Sequence, residues 1–199
     1  MPPHSPLVNR VQGPTFRQAP DHHVETTTWA IEICFYTCSA LILGSALFAC
    51  TFHLENKLSL LWILYLAAIP ADLVSGFLHW VFDSYAPAKD TSWFAKPFRA
   101  FAIHHDDPAL ITQHDPHAVD YETLAITTSI IVVLGFNGTL IWESPFWALA
   151  CVAGGFTNRF HRWAHMPEPP LIAKQLQSLR LIVSAKDHGK HHVAPYRQS

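Results

Sequence analysis

The residues in this chain that could do chemistry are its histidines. Fourteen occur in 199 residues. His161-Arg-Trp-Ala-His165 puts two imidazoles four residues apart, a spacing that shares one face of a helix. His188-Gly-Lys-His191-His192 offers separations of three and four. In Asp72-Leu-Val-Ser-Gly-Phe-Leu-His79-Trp-Val-Phe-Asp83, His79 and Asp83 are again four apart. His104 and His105 are adjacent, so they serve one centre only if the backbone turns; otherwise each ring points at a different neighbour. Neutral imidazole is the commonest protein metal ligand and suits iron, zinc, copper and nickel. Eight histidines (His79, His104, His105, His161, His165, His188, His191 and His192) from four segments exceed what one tetrahedral zinc needs. They are a sensible number for two metal ions. A site built almost wholly of neutral rings leaves the full positive charge on the metals, which suits oxygen-activating iron chemistry. Asp72 and Asp83 are candidates for a further ligand, or for acceptors of a ligand's N–H. His114 is a further candidate. His4, His22 and His23 read as solvated, His53 as interfacial, and His117 as a residue without a metal role.

The elements that must position these residues follow from hydropathy. Half of the chain is hydrophobic and only 14% is charged. Four apolar stretches run over about 29–52, 58–82, 124–142 and 145–160. A bilayer core asks for ~20 apolar residues as a helix, which the first three supply; the fourth is shorter. Backbone groups cannot go unsatisfied in lipid, so the spans should be helices. The expectation is an all-α, integral membrane four-helix bundle carrying a histidine-rich cap. A soluble helical bundle is the weaker alternative. Residues 1–28 are polar and Pro-rich and read as a disordered tail, without the basic-then-apolar pattern of a signal peptide.

Four spans fix a parity. Both termini, the 83–121 loop and the histidine-bearing ends fall on one side of the membrane. Of the 13 Lys/Arg, only Lys57 falls in a far-side turn. The positive-inside rule makes the near side cytoplasmic. All eight candidate ligands lie on that side, although hydropathy took no account of them.

Composition also excludes several classes. A net charge of −2 argues against nucleic-acid binding. Cys34, Cys38, Cys50 and Cys151 sit in apolar stretches without framework or zinc-finger spacing. Aromatic residues Trp80, Phe82, Trp93, Phe94, Phe98, Phe101 and Trp163 read mainly as an interfacial belt. Lys89, Lys96, Arg99, Arg159 and Arg162 either enforce topology or meet phosphate.

Several stretches resemble one family, the plasmanylethanolamine desaturases, or lipid desaturase domain family, which includes a plant plastid fatty-acid desaturase branch. They are Ala71–Trp80, Phe101–Pro108, Ile111–Asp115, Phe156–His165 and His188–Tyr196, in the family's order. The domain would then occupy 29–199. The resemblance places the family's histidine boxes on His161–His165 and His188–His192, with further family histidines at His79, His104 and His105. It adds Asn158 as a candidate metal or outer group. It implies two iron ions, O2 as oxidant, and a cytochrome b5-type or ferredoxin-type electron donor protein.

Within the family, the Pro108–Asp115 stretch is more similar to the vinyl-ether branch. The implied reaction converts a 1-O-alkyl (plasmanyl) ethanolamine phospholipid to the 1-O-alk-1′-enyl (plasmenyl) form. An acyl-chain desaturase or hydroxylase of the plastid type is the alternative. The implied location is a multi-pass membrane protein with both termini cytoplasmic, in the endoplasmic reticulum of a eukaryote. Two departures stand out. An Asn-Gly-containing segment expected after Asp115 reads Pro-His-Ala-Val-Asp-Tyr-Glu here. The chain also stops at Ser199, where relatives continue, which leaves an inactive short member as a further expectation. Membrane zinc hydrolysis is disfavoured by the lack of His-Glu-x-x-His. A bis-His haem carrier is disfavoured because the histidines sit at span ends.

Overall fold

A computed structural model of the chain describes residues 25–54, 56, 59–84, 95–136 and 143–192. The predicted tail over residues 1–24 lies outside this set. All regular structure among the described residues is helical. In chain order the helices are α1 (Trp29–Phe52), α2 (Leu60–Ser84), α3 (Lys96–Asp106), α4 (Leu110–Gln113), α5 (Pro116–Phe136), α6 (Pro145–Gly155), α7 (Thr157–His165), α8 (Leu171–Ser178) and α9 (Ala185–His191).

Helices α1, α2 and α5 are long and apolar enough to cross a membrane. Their outer faces carry large apolar side chains that water would disfavour: Leu61 is 73% exposed and Trp62 72%. Such faces suit hydrocarbon rather than solvent. Helix α1 begins where the sequence predicts, with the Thr28 hydroxyl accepting the Ile31 N–H at 3.4 Å. Helix α2 runs continuously through Pro70.

The third span differs from expectation. Its helix starts at Pro116, not near Leu124, because Pro suits the first helical turn. Asp120, in the first half of this helix, is fully buried against Arg159 of α7. Residues 137–142, the expected end of that span, lie outside the described set. The fourth stretch also differs. It is an 11-residue helix ending at Gly155, and α7 takes over after Phe156.

Short α6 is nevertheless central, packing against α1, α2 and α5. The core holds Cys38, Ile42, Ala46 and Ala49 of α1, Leu124 and Ile131 of α5, and Ala148 of α6. Gly155 permits the closest approach. A Cβ there would stand 3.0 Å from Ile42 Cδ1 and 3.3 Å from Leu124 Cδ2. Its carbonyl accepts from the Thr123 hydroxyl at 2.9 Å. All four cysteines are free thiols.

One end of this assembly gathers the pieces that matter. The Glu25 N–H, just before α1, donates to His114 Nδ1 at 2.8 Å, and the Asp115 N–H donates back to the Glu25 carbonyl at 3.0 Å. Asn158 of α7 donates to the Val119 carbonyl of α5 at 2.8 Å. The Thr157 hydroxyl of α7 meets Ser75 of α2 at 3.2 Å. The start of α1, the second half of α2, the start of α5 and the α6–α7 junction therefore meet.

Replacing Gly155 by Val should cost roughly 1–3 kcal/mol, as overpacking does. Thermal unfolding of the detergent-solubilised protein should show the lowered midpoint. An unchanged midpoint would mean that α6 can slide away from α1 and α5.

Candidate metal centre and its relatives

Eight imidazoles converge at that end. His104, His161, His165, His188 and His192 form one group, and His79, His105 and His191 a second. Within each group one nitrogen from every ring lies within 4.8 Å of the others.

Helical phase explains the division. Successive helical residues point ~100° apart, since a turn takes 3.6 residues. His104 and His105, adjacent at the end of α3, therefore face different groups. His191 and His192, at the end of α9, divide the same way. His161 and His165 on α7 are one turn apart and share a group, as do His188 and His192. Ser184 starts α9 by accepting the Asp187 N–H at 3.1 Å, which sets the register of its three histidines.

The contacts run through Nε2. His161 Nε2 is 2.8 Å from that of His104 and 3.1 Å from that of His165. His188 Nε2 is 2.8 Å from His165 and 3.0 Å from His192. In the second group, His191 Nε2 lies 2.9 Å from His79 and 3.2 Å from His105. A neutral ring nitrogen either donates one proton or accepts one, so a converging set cannot all be satisfied by one another. A cation at the centre satisfies every lone pair together. With metal–nitrogen bonds of ~2.1 Å, two ligands at right angles stand ~3.0 Å apart, which matches these separations. The donor set thus fits metal ions, one per group.

Electrostatics favours the ligand form. Burial, reinforced by neighbouring histidines, lowers His104 and His188 to about 2, His192 to about 3 and His165 to about 4. His161 is pushed well below its ordinary value for the same reasons. These rings are neutral at pH 7, as metal binding requires.

The other candidates fall elsewhere. His114 accepts the Glu25 N–H and belongs to neither group. Asn158 is engaged with the Val119 carbonyl. Asp72 lines the neighbouring cavities. The side chain of Asp83 lies outside the described set. His117 stacks on Phe35 with centroids 4.1 Å apart, and His53 follows the far end of α1. His4, His22 and His23 lie outside the described residues.

Two of the expected cations have structural duties. Arg159 pairs with Asp120, and Arg162 donates to the Ile111 and Thr112 carbonyls at 3.3 and 2.9 Å. Asp120 was missed from sequence; a carboxylate just ahead of an apolar run was the available signal. Phe82 packs on Phe98 and Phe101, and Phe101 meets His79 edge-on at 4.6 Å. These aromatics wall the second group. Trp93, Phe94 and Lys89 lie outside the described set.

A cleft of about 380 Å³ leads from the histidines along α2. Ala71, Ser75 and Gly76 form one wall, and Ala153 and Thr157 the other. His79, His161, His188 and His191 close its end.

The lipid desaturase domain model matches residues 68–199. The chain belongs to that family. It is 30% identical over 143 residues to a plasmanylethanolamine desaturase of Myxococcus xanthus, covering 67% of this chain and 49% of that one. Mouse plasmanylethanolamine desaturase 1 is 32% identical over 141 residues, covering 65% and 51%. Chloroplastic fatty acid desaturase 4 of Arabidopsis thaliana is 34% identical over 141 residues, covering 68% and 42%. The chain spans about half the length of these relatives. No solved structure matches it.

Acid should loosen this centre. The unfolded chain takes up protons on its histidines from about pH 6.5 downward, whereas the folded groups stay neutral to about 4 or below. Stability is therefore full above pH 6.5 and declines as pH falls through that window. The melting midpoint of the solubilised protein should drop between pH 6.5 and 4. A flat profile would mean that the rings are solvated and not clustered.

Proposed function

We propose that this chain is a membrane di-iron lipid desaturase that converts plasmanyl to plasmenyl ethanolamine phospholipid, using O2 and electrons from a cytochrome b5-type or ferredoxin-type donor protein. The observation that carries the reading is the convergence of eight imidazoles, in groups of five and three, beside a cleft that continues along a lipid-facing helix.

One iron would be held by His104, His161, His165, His188 and His192, and the other by His79, His105 and His191. Bound iron would supply what no side chain can, a means of removing hydrogen from an unactivated carbon with O2. The balance is simple: two hydrogens leave adjacent carbons, and O2 with two electrons and two protons becomes two waters. The chain's own tasks are to hold the ligands neutral, to aim the carbon and to exclude water. The small side chains of Ala71, Ser75 and Gly76 leave room for a hydrocarbon chain beside the histidines. The Phe82–Phe98–Phe101 cluster shields the three-histidine group.

For topology, we take residues 145–160, α6 and the first residues of α7, as the fourth crossing of a bundle, with His161 and His165 at its end. Twelve of 13 Lys/Arg then lie on the histidine side, which supports a cytoplasmic location for the site and both termini. In a eukaryote the membrane would be that of the endoplasmic reticulum.

A second reading, acyl-chain desaturation, is favoured by the similar identity to the chloroplastic relative. Lipid mass spectrometry decides between them. In cells lacking plasmanylethanolamine desaturase, this chain should produce acid-labile vinyl-ether phospholipids. His161→Ala should give at least ~100-fold less, since losing even an outer partner of a ligand typically costs ~10–100-fold. The purified protein should hold two irons and the variant fewer. New acyl double bonds without vinyl ethers would transfer the assignment to the second reading. Zinc in place of iron would end both.

A further inference from the structure

Helix α7 must place two rings accurately, and little in its own sequence fixes its rotation. It supplies His161 and His165, two of the five members of one histidine group and none of the other. It starts after the break at Phe156 and stops at His165, two residues before Pro167. Its turn about its own axis is therefore not inherited from a longer helix. A helix commonly takes its orientation from a buried apolar stripe. Here Phe160, Trp163 and Ala164 are the apolar members, and of these only Ala164 is buried.

Rotation matters at this scale. A ring nitrogen stands ~6 Å from the helix axis, so a turn of about 10° moves it ~1 Å. Metal–ligand distances tolerate only ~0.2 Å.

The restraint lies on the opposite face. Arg159 precedes His161 by two residues, ~200° around the helix. Its Nε donates to Asp120 Oδ2 of α5, and a terminal guanidinium nitrogen pairs with the same oxygen. The Asp120 side chain is 0% exposed. The guanidinium also stands 5.7 Å from the centre of the Phe35 ring of α1. Thr157, Asn158 and Arg162 meet neutral oxygens instead. A contact with charge on both partners is stronger and more directional than these.

As a device for stability alone the pair is poor. Asp120 Oδ1 is buried without a hydrogen-bond partner among the described residues, a cost that a matched apolar pair avoids. Orientation accounts for a buried pair kept at that cost.

We propose that Asp120 is a positioning residue of the five-histidine group. Through Arg159 it sets the rotation of α7, and with it the reach of His161 and His165. The three-histidine group is left alone, because α7 contributes nothing to it. This deepens the desaturase reading and rests on it for the presence of metal at both groups.

Cobalt(II) uptake by the purified, metal-free full chain tests this without turnover, because visible absorption reports the ligands around each ion. The unmodified chain should take up two ions. His105→Ala should lose the ion of the three-histidine group and so identify its signal. Asp120→Asn should leave that signal intact, weaken binding of the other ion by roughly 10-fold or more and shift its absorption. Arg159→Lys should do the same, since an ammonium keeps the charge but not the grip through two nitrogens. The deciding variant replaces both partners, Asp120→Leu with Arg159→Met. It should melt no lower than the unmodified protein, yet bind the ion of the five-histidine group as weakly as Asp120→Asn. That combination separates positioning from stability. Unchanged affinity and absorption in the double variant would overturn the proposal and leave the metal centre standing. Equal weakening of both ions in Asp120→Asn would do so too. No cobalt uptake by the unmodified chain would remove the metal reading and the proposal together.

Discussion

Eight imidazole nitrogens crowded into two adjoining spaces impose a demand that the rest of the fold answers. Lone pairs at about 3 Å cannot be reconciled by sharing protons alone, and burial keeps most of the rings from carrying charge to escape the conflict. Four separate chain segments must therefore be brought to one place and kept there. The staples that do so lie outside the histidines. Asp120 with Arg159 fixes α7 on α5, Arg162 fixes it on the α4 turn, and Thr157 fixes it on α2. Helix α7 is thus tied on three sides before its two histidines make any contact.

The membrane-facing part is built for a different purpose. Helices α1, α2 and α5 spend their apolar surface on the surroundings, and short α6 provides the contact between them. Close approach at Gly155 substitutes for bulk, as small residues commonly do where helices meet in lipid. Because α2 meets its partners largely through α6 and α3, much of its length stays open to hydrocarbon. A lipid chain can approach the histidines from the side without crossing water.

Much of this was legible in the sequence, for definable reasons. Long apolar runs with few charges gave α1 and α2 nearly to the residue, and spacing gave the eight histidines that come together. Adjacent pairs could not be assigned from spacing alone, because the choice between one centre and two depends on whether residues 104 and 105 are still helical. They are, and helical phase then separates them. The start of α5 was set too late because hydropathy follows the apolar run from Leu124 and does not register the polar turns before it, where Asp120 is paired with Arg159, 39 residues later. The fourth span was read as too long because hydropathy does not register the break at Phe156.

The splitting of His104 from His105 and of His191 from His192 has a mechanical corollary. Each pair is one rigid stretch of backbone with a ring in either chamber. A rotation of α3 or α9 that tightens one chamber turns the neighbouring ring away from the other. The two chambers are consequently geared together through α3 and α9: neither helix can turn to reshape one without altering its twin. The spacing between them is set by the pitch of an ordinary helix, which no substitution at the histidines themselves can change.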